Sequence, residues 1–96
     1  MIRTLAGKTE GEEPCWSVYI VRCGDDSLYT GIAKDVAARV AKHNAGRGAA
    51  YTRTRRPVAL VFKEDGFTRS QALVREAKIK SLPRERKRAL ARGARP

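Results

Sequence analysis

Apolar and polar positions divide the chain after residue 15 into six blocks. Trp16-Ser17-Val18-Tyr19-Ile20-Val21-Arg22-Cys23 is β-branched and aromatic and reads as a strand. Gly24-Asp25-Asp26-Ser27 is a cluster of turn formers, and Leu28-Tyr29-Thr30-Gly31-Ile32 returns as a second strand, so the pair forms a hairpin. Asp35 is placed to cap a helix that runs to about Ala45, where Gly46 ends it, with Val36, Ala37, Val40 and Ala41 as its apolar stripe. Residues 46–56 read as a basic loop containing two glycines. Pro57-Val58-Ala59-Leu60-Val61-Phe62 predicts a third strand with proline at its start, where it is tolerated. Thr68 or Ser70 caps a second helix through about Leu82, and Pro83 opens a third from Arg84 to about Arg92, ended by Gly93.

The predicted order is β-β-α-β-α-α, an α+β fold with a small three-stranded antiparallel sheet flanked by helices. Residues 1–14 are polar and rich in Gly and Glu, and read as a mobile tail. The domain is expected over residues 15–93, with 94–96 as a short C-terminal tail. A chain of 96 residues has room for one such domain and one modest core. No apolar run is long enough to span a membrane, and the N-terminus has no signal-peptide core. Cys15 and Cys23 are too few and wrongly spaced for a disulfide framework, which makes a reducing cytoplasm the natural setting.

Charge changes the picture. The formal net charge is +11, and it is unevenly placed: residues 1–38 carry 4 Lys/Arg against 6 Asp/Glu, residues 39–96 carry 17 against 4. Self-repulsion on this scale opposes a compact fold, so a polyanionic partner is expected to benefit from it. Arginine outnumbers lysine fourteen to seven, which suits bidentate phosphate contacts. On charge alone nucleic acid is the favoured partner, ahead of acidic membrane surfaces or protein partners, and no small-molecule cofactor is expected.

One histidine and two cysteines cannot supply a zinc site of ordinary spacing, and the chain has no Gly-x-x-x-x-Gly-Lys phosphate cradle. More promising are Arg39 and His43, which are four apart and share one side of the first helix at the edge of its stripe. Glu76 falls on the second helix between Ala72 and Leu73, with Ala77 and Ile79 beside it. A carboxylate in a core-facing stripe is costly unless paired. An ion pair with Arg39, Lys80 or another base would satisfy it, and a metal ion would serve as well. Tyr19 and Tyr29 read first as ordinary strand aromatics.

Taken together, Val18-Tyr19, then Tyr29-Thr30-Gly31 ten residues on, Arg39-x-x-x-His43-Asn44 and Glu76 on a later helix resemble the GIY-YIG nuclease superfamily. The resemblance covers about residues 16–82. The stretch from His43 through Pro57 is similar to the small stand-alone bacterial members of the UPF0213 kind, and to the nuclease domain of the eukaryotic structure-specific resolvase. The resemblance implies a cytoplasmic endonuclease that hydrolyses phosphodiesters to 3′-hydroxyl and 5′-phosphate ends with one Mg²⁺ or Mn²⁺ ion, and a place in DNA repair. On that reading Glu76 is the metal ligand and Arg39 stabilises charge on the scissile phosphate. Tyr29 takes the proton of the attacking water, with Tyr19 as its hydrogen-bonding neighbour. An unperturbed tyrosine titrates near about 10, so nearby cations (Arg39, Lys34 or the metal) must favour the phenolate. His43 is the alternative base. Arg47, Arg53, Arg55 and Arg56 in the basic loop, with Lys34, are expected to meet phosphates, and Tyr51 to stack on a base.

Ser17-Val18-Tyr19 departs from the first eponymous triplet at its first and middle positions and Tyr29-Thr30-Gly31 from the second at its middle one, and Asn44 is the only asparagine, so the downstream asparagine used by some members is missing. A non-catalytic nucleic-acid adaptor that keeps the fold is the second functional reading. The shared site also makes a demand on the hairpin. A four-residue loop at 24–27 would pair Arg22 with Tyr29 and put Tyr19 and Tyr29 on opposite faces. An odd-length loop or a bulge near Gly24 is therefore expected.

Overall fold

A computed structural model describes residues 13–93. Of the expected tails at 1–14 and 94–96, only Glu13 and Pro14 fall among the described residues. Three strands form the sheet: β1 Trp16–Arg22, β2 Leu28–Ala33 and β3 Ala59–Phe67. Four helices accompany it: α1 Val36–Asn44, α2 Ala50–Arg53, α3 Arg69–Lys80 and α4 Arg84–Ala91. The sheet is antiparallel with β1 at its centre, in the order β2-β1-β3. This is the expected α+β architecture, with one element added.

The addition is α2, a single turn inside the segment read as loop. Ala49 at its N-cap offers no side-chain hydrogen bond, so the sequence carries no start signal there. The third strand also differs. It begins two residues later than expected and continues through Lys63-Glu64-Asp65-Gly66-Phe67. The apolar run ends at Phe62, but β3 is an edge strand, largely exposed, and an edge tolerates charge. Glu64 there accepts two hydrogen bonds from Arg75, at 2.7 and 3.2 Å, and Asp65 accepts one from Ser17.

Central β1 is buried on both faces, which is why its apolar run is unbroken. Tyr19, Val21 and Cys23 face one side with Ala33, Val36 and Val58, and Val40 of α1 packs on them. Val18 and Ile20 face the other side with Ala72 and Ile79 of α3 and Leu90 of α4. Thus α1 covers one face, and α3 and α4 the other.

The hairpin meets the demand placed on it. Arg22 pairs with Leu28, so the loop is residues 23–27, five in number, closed by the Cys23 N–H donating to Ser27 at 2.8 Å. Asp26 takes the left-handed conformation inside it. The odd length moves Tyr29 opposite Val21, which shares a face with Tyr19.

The caps at Asp35 and Thr68 form as expected, the latter as a full capping box with Gln71. The stripe of α1 is rotated from the expected one: Val36, Val40 and His43 turn inward, with Arg39 half-buried, while Ala37 and Ala41 are exposed. Alanine buries too little area to choose the face, and the larger side chains choose it.

Asn44, at the end of α1, ties the two layers of chain together. Its side chain donates to the Val58 carbonyl at 3.0 Å and accepts from the Val58 N–H at 2.7 Å. The pair mimics a strand ladder at the entry to β3. Asn44→Ala is expected to cost about 1–3 kcal/mol, read as a shift in the urea midpoint, because a part-buried backbone pair loses both partners. A midpoint equal to wild type would show that water replaces the amide without loss.

Candidate active site

The interior of the site is a chain of hydrogen bonds that starts in α2. The Thr52 hydroxyl donates to the Ala49 carbonyl at 3.0 Å, so its oxygen is left to accept. His43 Nδ1 lies 2.8 Å from that oxygen, and His43 Nε2 lies 2.8 Å from the Tyr19 hydroxyl. With Thr52 accepting, Nδ1 carries the proton and Nε2 accepts from the phenol. Every buried side-chain polar atom among the described residues finds a partner.

This order has electrostatic support. Burial holds the His43 imidazole below its ordinary value, and the Arg39 guanidinium lowers it further, so the ring is neutral at pH 7. Burial raises the Tyr19 phenol above its ordinary value; Arg39 pulls it back, while Tyr29 and Glu76 raise it again. Tyr19 therefore keeps its proton and donates it to His43.

Two glycines make the arrangement possible. A Cβ on Gly31 would stand 2.6 Å from the Tyr19 hydroxyl, so only glycine lets that ring cross the edge strand β2. A Cβ on Gly48 would run into the His43 ring in the same way. Gly31 belongs to the motif visible in the sequence. Gly48 and Thr52 do not, and both lie in the segment read as loop, where no periodicity marks them.

His43 is fully buried with both nitrogens bonded, and not at the helix edge as expected. Its only route to a substrate is through Tyr19. Tyr29 is half-buried, its ring edge-on to His43 at 5.3 Å between centroids and stacked beside Tyr51 at 5.9 Å. Arg39 has no carboxylate within ion-pair distance among the described residues.

Glu76 approaches from α3, on the other layer. It lies on the inward face with Ala72 and Ile79, but Leu73 and Ala77 turn outward, so its side chain retains 19% exposure. Lys80, one turn on, pairs with it at 3.4 Å. Of the pairings open to it in the sequence, this is the one that forms.

Other candidates have other occupations. The Lys34 ammonium sits 5.7 Å from the Trp16 ring centre, and Trp16 packs with the α3 side of the core. Arg55 lies over the Tyr51 ring at 3.9 Å, pairs with Asp25 at 3.1 Å and donates to the Tyr51 carbonyl at 2.8 Å. The Tyr51 ring is thus already engaged by Arg55 and Tyr29 and is not an open stacking platform. Arg56 donates to the Arg53 carbonyl at 3.0 Å and reaches that of Asn44 at 3.4 Å. Arg47 and Arg53 project into solvent.

No cluster of three or more His, Cys, Asp or Glu side chains able to hold a metal occurs among the described residues. Among the candidate site residues Glu76 is the one carboxylate. A single carboxylate suits a hard cation such as Mg²⁺, which keeps several waters and completes its shell with substrate phosphate.

Residues 15–89 match the GIY-YIG catalytic domain. The chain belongs to the GIY-YIG family. It is 61% identical over 70 residues to UPF0213 proteins of Staphylococcus epidermidis and Staphylococcus aureus, covering 73% of this chain and 85% of theirs. Among solved structures it is similar to a UPF0213 protein from Bacillus halodurans, with 41% identity, coverage of 78% and 80%, and a TM-score of 0.50. A protein from E. faecalis is similar at 34% identity, with coverage of 84% and 83% and a TM-score of 0.51. The GIY-YIG domain is a nuclease family, and its substrate is nucleic acid. No helix among the described residues is long and apolar enough to cross a membrane.

Proposed function

We propose that this GIY-YIG protein is a metal-dependent endonuclease that hydrolyses phosphodiester bonds in DNA, leaving 3′-hydroxyl and 5′-phosphate ends. The observation that carries the reading is the meeting of two layers at the edge strand β2. Tyr19 and Tyr29 meet His43 on the α1 side, with Arg39 half-buried on α1, and the part-buried Glu76 comes from α3 on the other face.

Each residue then has a task that its surroundings permit. Arg39, with no carboxylate partner, is available to the scissile phosphate and to the charge that develops on it. Tyr19 is committed as a donor to His43, so it orients and does not abstract a proton. Tyr29, in its phenolate form, is the oxygen left to accept the proton of the attacking water, and His43 fixes Tyr19 beside it. Glu76, whose partner Lys80 is exposed, would hold one Mg²⁺ or Mn²⁺ ion. A cation bound there would neutralise charge on the substrate phosphate.

Labelled single-stranded, duplex, flap and junction DNA, incubated with Mg²⁺, Mn²⁺ or EDTA and resolved on gels, tests the reading. Cleavage of at least one substrate with either metal and none in EDTA is expected. Binding without cleavage under every condition would replace the enzyme with a nucleic-acid adaptor on the same fold.

A further inference from the structure

Beyond the residues named so far, α4 carries four basic side chains, Arg84, Arg86, Lys87 and Arg88, with Arg92 at its C-cap, against one acid, Glu85. Its early turns stand beside the start of β2, where Ser27, Leu28, Tyr51, Arg84, Lys87 and Arg88 line a cleft of about 190 Å³. The two walls have different origins. Tyr51 comes from α2, which is bonded to α1 through Thr52 and His43, and the three basic residues come from α4, which packs on the opposite sheet face through Leu90. They meet around the edge strand β2.

We propose that this cleft is a second phosphate seat, holding one strand of the substrate nucleic acid upstream or downstream of the bond that is cut. The proposal rests on the nucleic-acid reading above but not on catalysis. Charge is its first support. Arg84 and Lys87 have no carboxylate within ion-pair distance among the described residues, and Arg88 has only the exposed Asp26 at 3.5 Å. No carboxylate lines the cleft. Three cations gathered in one place repel one another, and a phosphodiester relieves that cost.

Continuity is the second support. Tyr51 forms the cleft wall and stacks beside Tyr29, so the cleft opens next to the residue assigned to the attacking water. Tyr29 itself follows Leu28 in β2. A strand laid along the β2 edge from Gly31 would pass Tyr29 and then the α4 cations. The cleft admits a sugar-phosphate of one strand and is too small for a duplex. The engaged Tyr51 ring then acts as a wall, with Arg55 over it adding a further positive charge.

The test reads binding alone. Fluorescence anisotropy with a labelled single-stranded oligonucleotide, and with a flap carrying the same strand, is measured in EDTA across a salt series on the Glu76→Ala background. Arg84→Gln/Lys87→Gln is compared with Lys63→Gln/Lys78→Gln, which removes the same charge from β3 and α3. Loss of two phosphate contacts is expected to make the slope of log K against log salt shallower by about 1.5, with the β3 and α3 variant unchanged. Should the double variant fold poorly, Arg84→Gln and Lys87→Gln alone are each expected to give about half that change. An unchanged slope, or an equal change in both double variants, would overturn the seat in favour of diffuse surface charge. Wild-type protein that binds as expected but never cuts would leave the seat standing and remove the nuclease.

Discussion

Glu76→Ala is expected to abolish cleavage while changing the stability of the metal-free protein by less than about 1 kcal/mol. The small stability effect follows from the exposure of its partner. Lys80 keeps 53% of its side-chain surface, so losing Glu76 strands no buried charge, and pairs of this kind contribute little. A carboxylate paired in the interior would behave otherwise, and its loss would cost about 3–5 kcal/mol. Metal supplies a second readout that needs no substrate. Mn²⁺ at about ten times its dissociation constant should stabilise the wild type by about 1.4 kcal/mol and the variant by almost nothing. Thermal melts of both proteins with and without Mn²⁺, beside the gel assay, check all three expectations. A variant that still cuts, or that melts far below wild type without metal, would show that Glu76 serves the fold and not the reaction.

His43→Ala is expected to cost about 3–5 kcal/mol, the largest stability effect of any change in the site. It empties a fully buried position and strands two hydroxyls, those of Tyr19 and Thr52, that the ring satisfies. A pH dependence comes with it. His43 is held below its ordinary value in the fold, so between that lowered value and about 6.5 the unfolded chain binds a proton that the native protein does not. Stability contributed by the neutral ring is therefore complete above about pH 6.5 and is lost as pH falls through the lowered value. The carboxylates held below their ordinary value, Asp25 and Asp65, act at lower pH, near and below the ordinary 3.8 of an aspartate. Urea midpoints measured from pH 7.5 to pH 5 should fall for the wild type. The milder His43→Gln should be less stable throughout and show a flatter profile in that window. Parallel profiles for the two proteins would mean that another group carries the dependence.

Local chemistry alone accounts for much of the architecture. Turn residues at 24–27, caps at Asp35 and Thr68, Pro83 before α4, and a continuous apolar run in β1 each act over a few residues, and each is legible without neighbours. The motif residues Tyr19, Tyr29, Arg39, His43 and Glu76 were legible too, through their order and spacing. The demand for an odd hairpin loop could also be read in advance, because side chains alternate along a strand and two phenols must share a face.

What depends on distant contacts could not be read that way. The helical turn at Ala50–Arg53 has no cap of its own; it is held by the packing that buries Thr52 against His43. The stripe of α1 turned toward His43 because a buried ring bonded at both nitrogens outweighs two alanines. Glu76 found Lys80, not Arg39, since the pair one helical turn apart forms without crossing the sheet. Arg55 was drawn from the solvent to Tyr51 and Asp25, two partners that the hairpin and α2 bring together only in the folded chain. Residue type and spacing determined which groups the site contains. Burial and long-range pairing decided which of them keep a proton, which are already partnered, and which stay open to a phosphate.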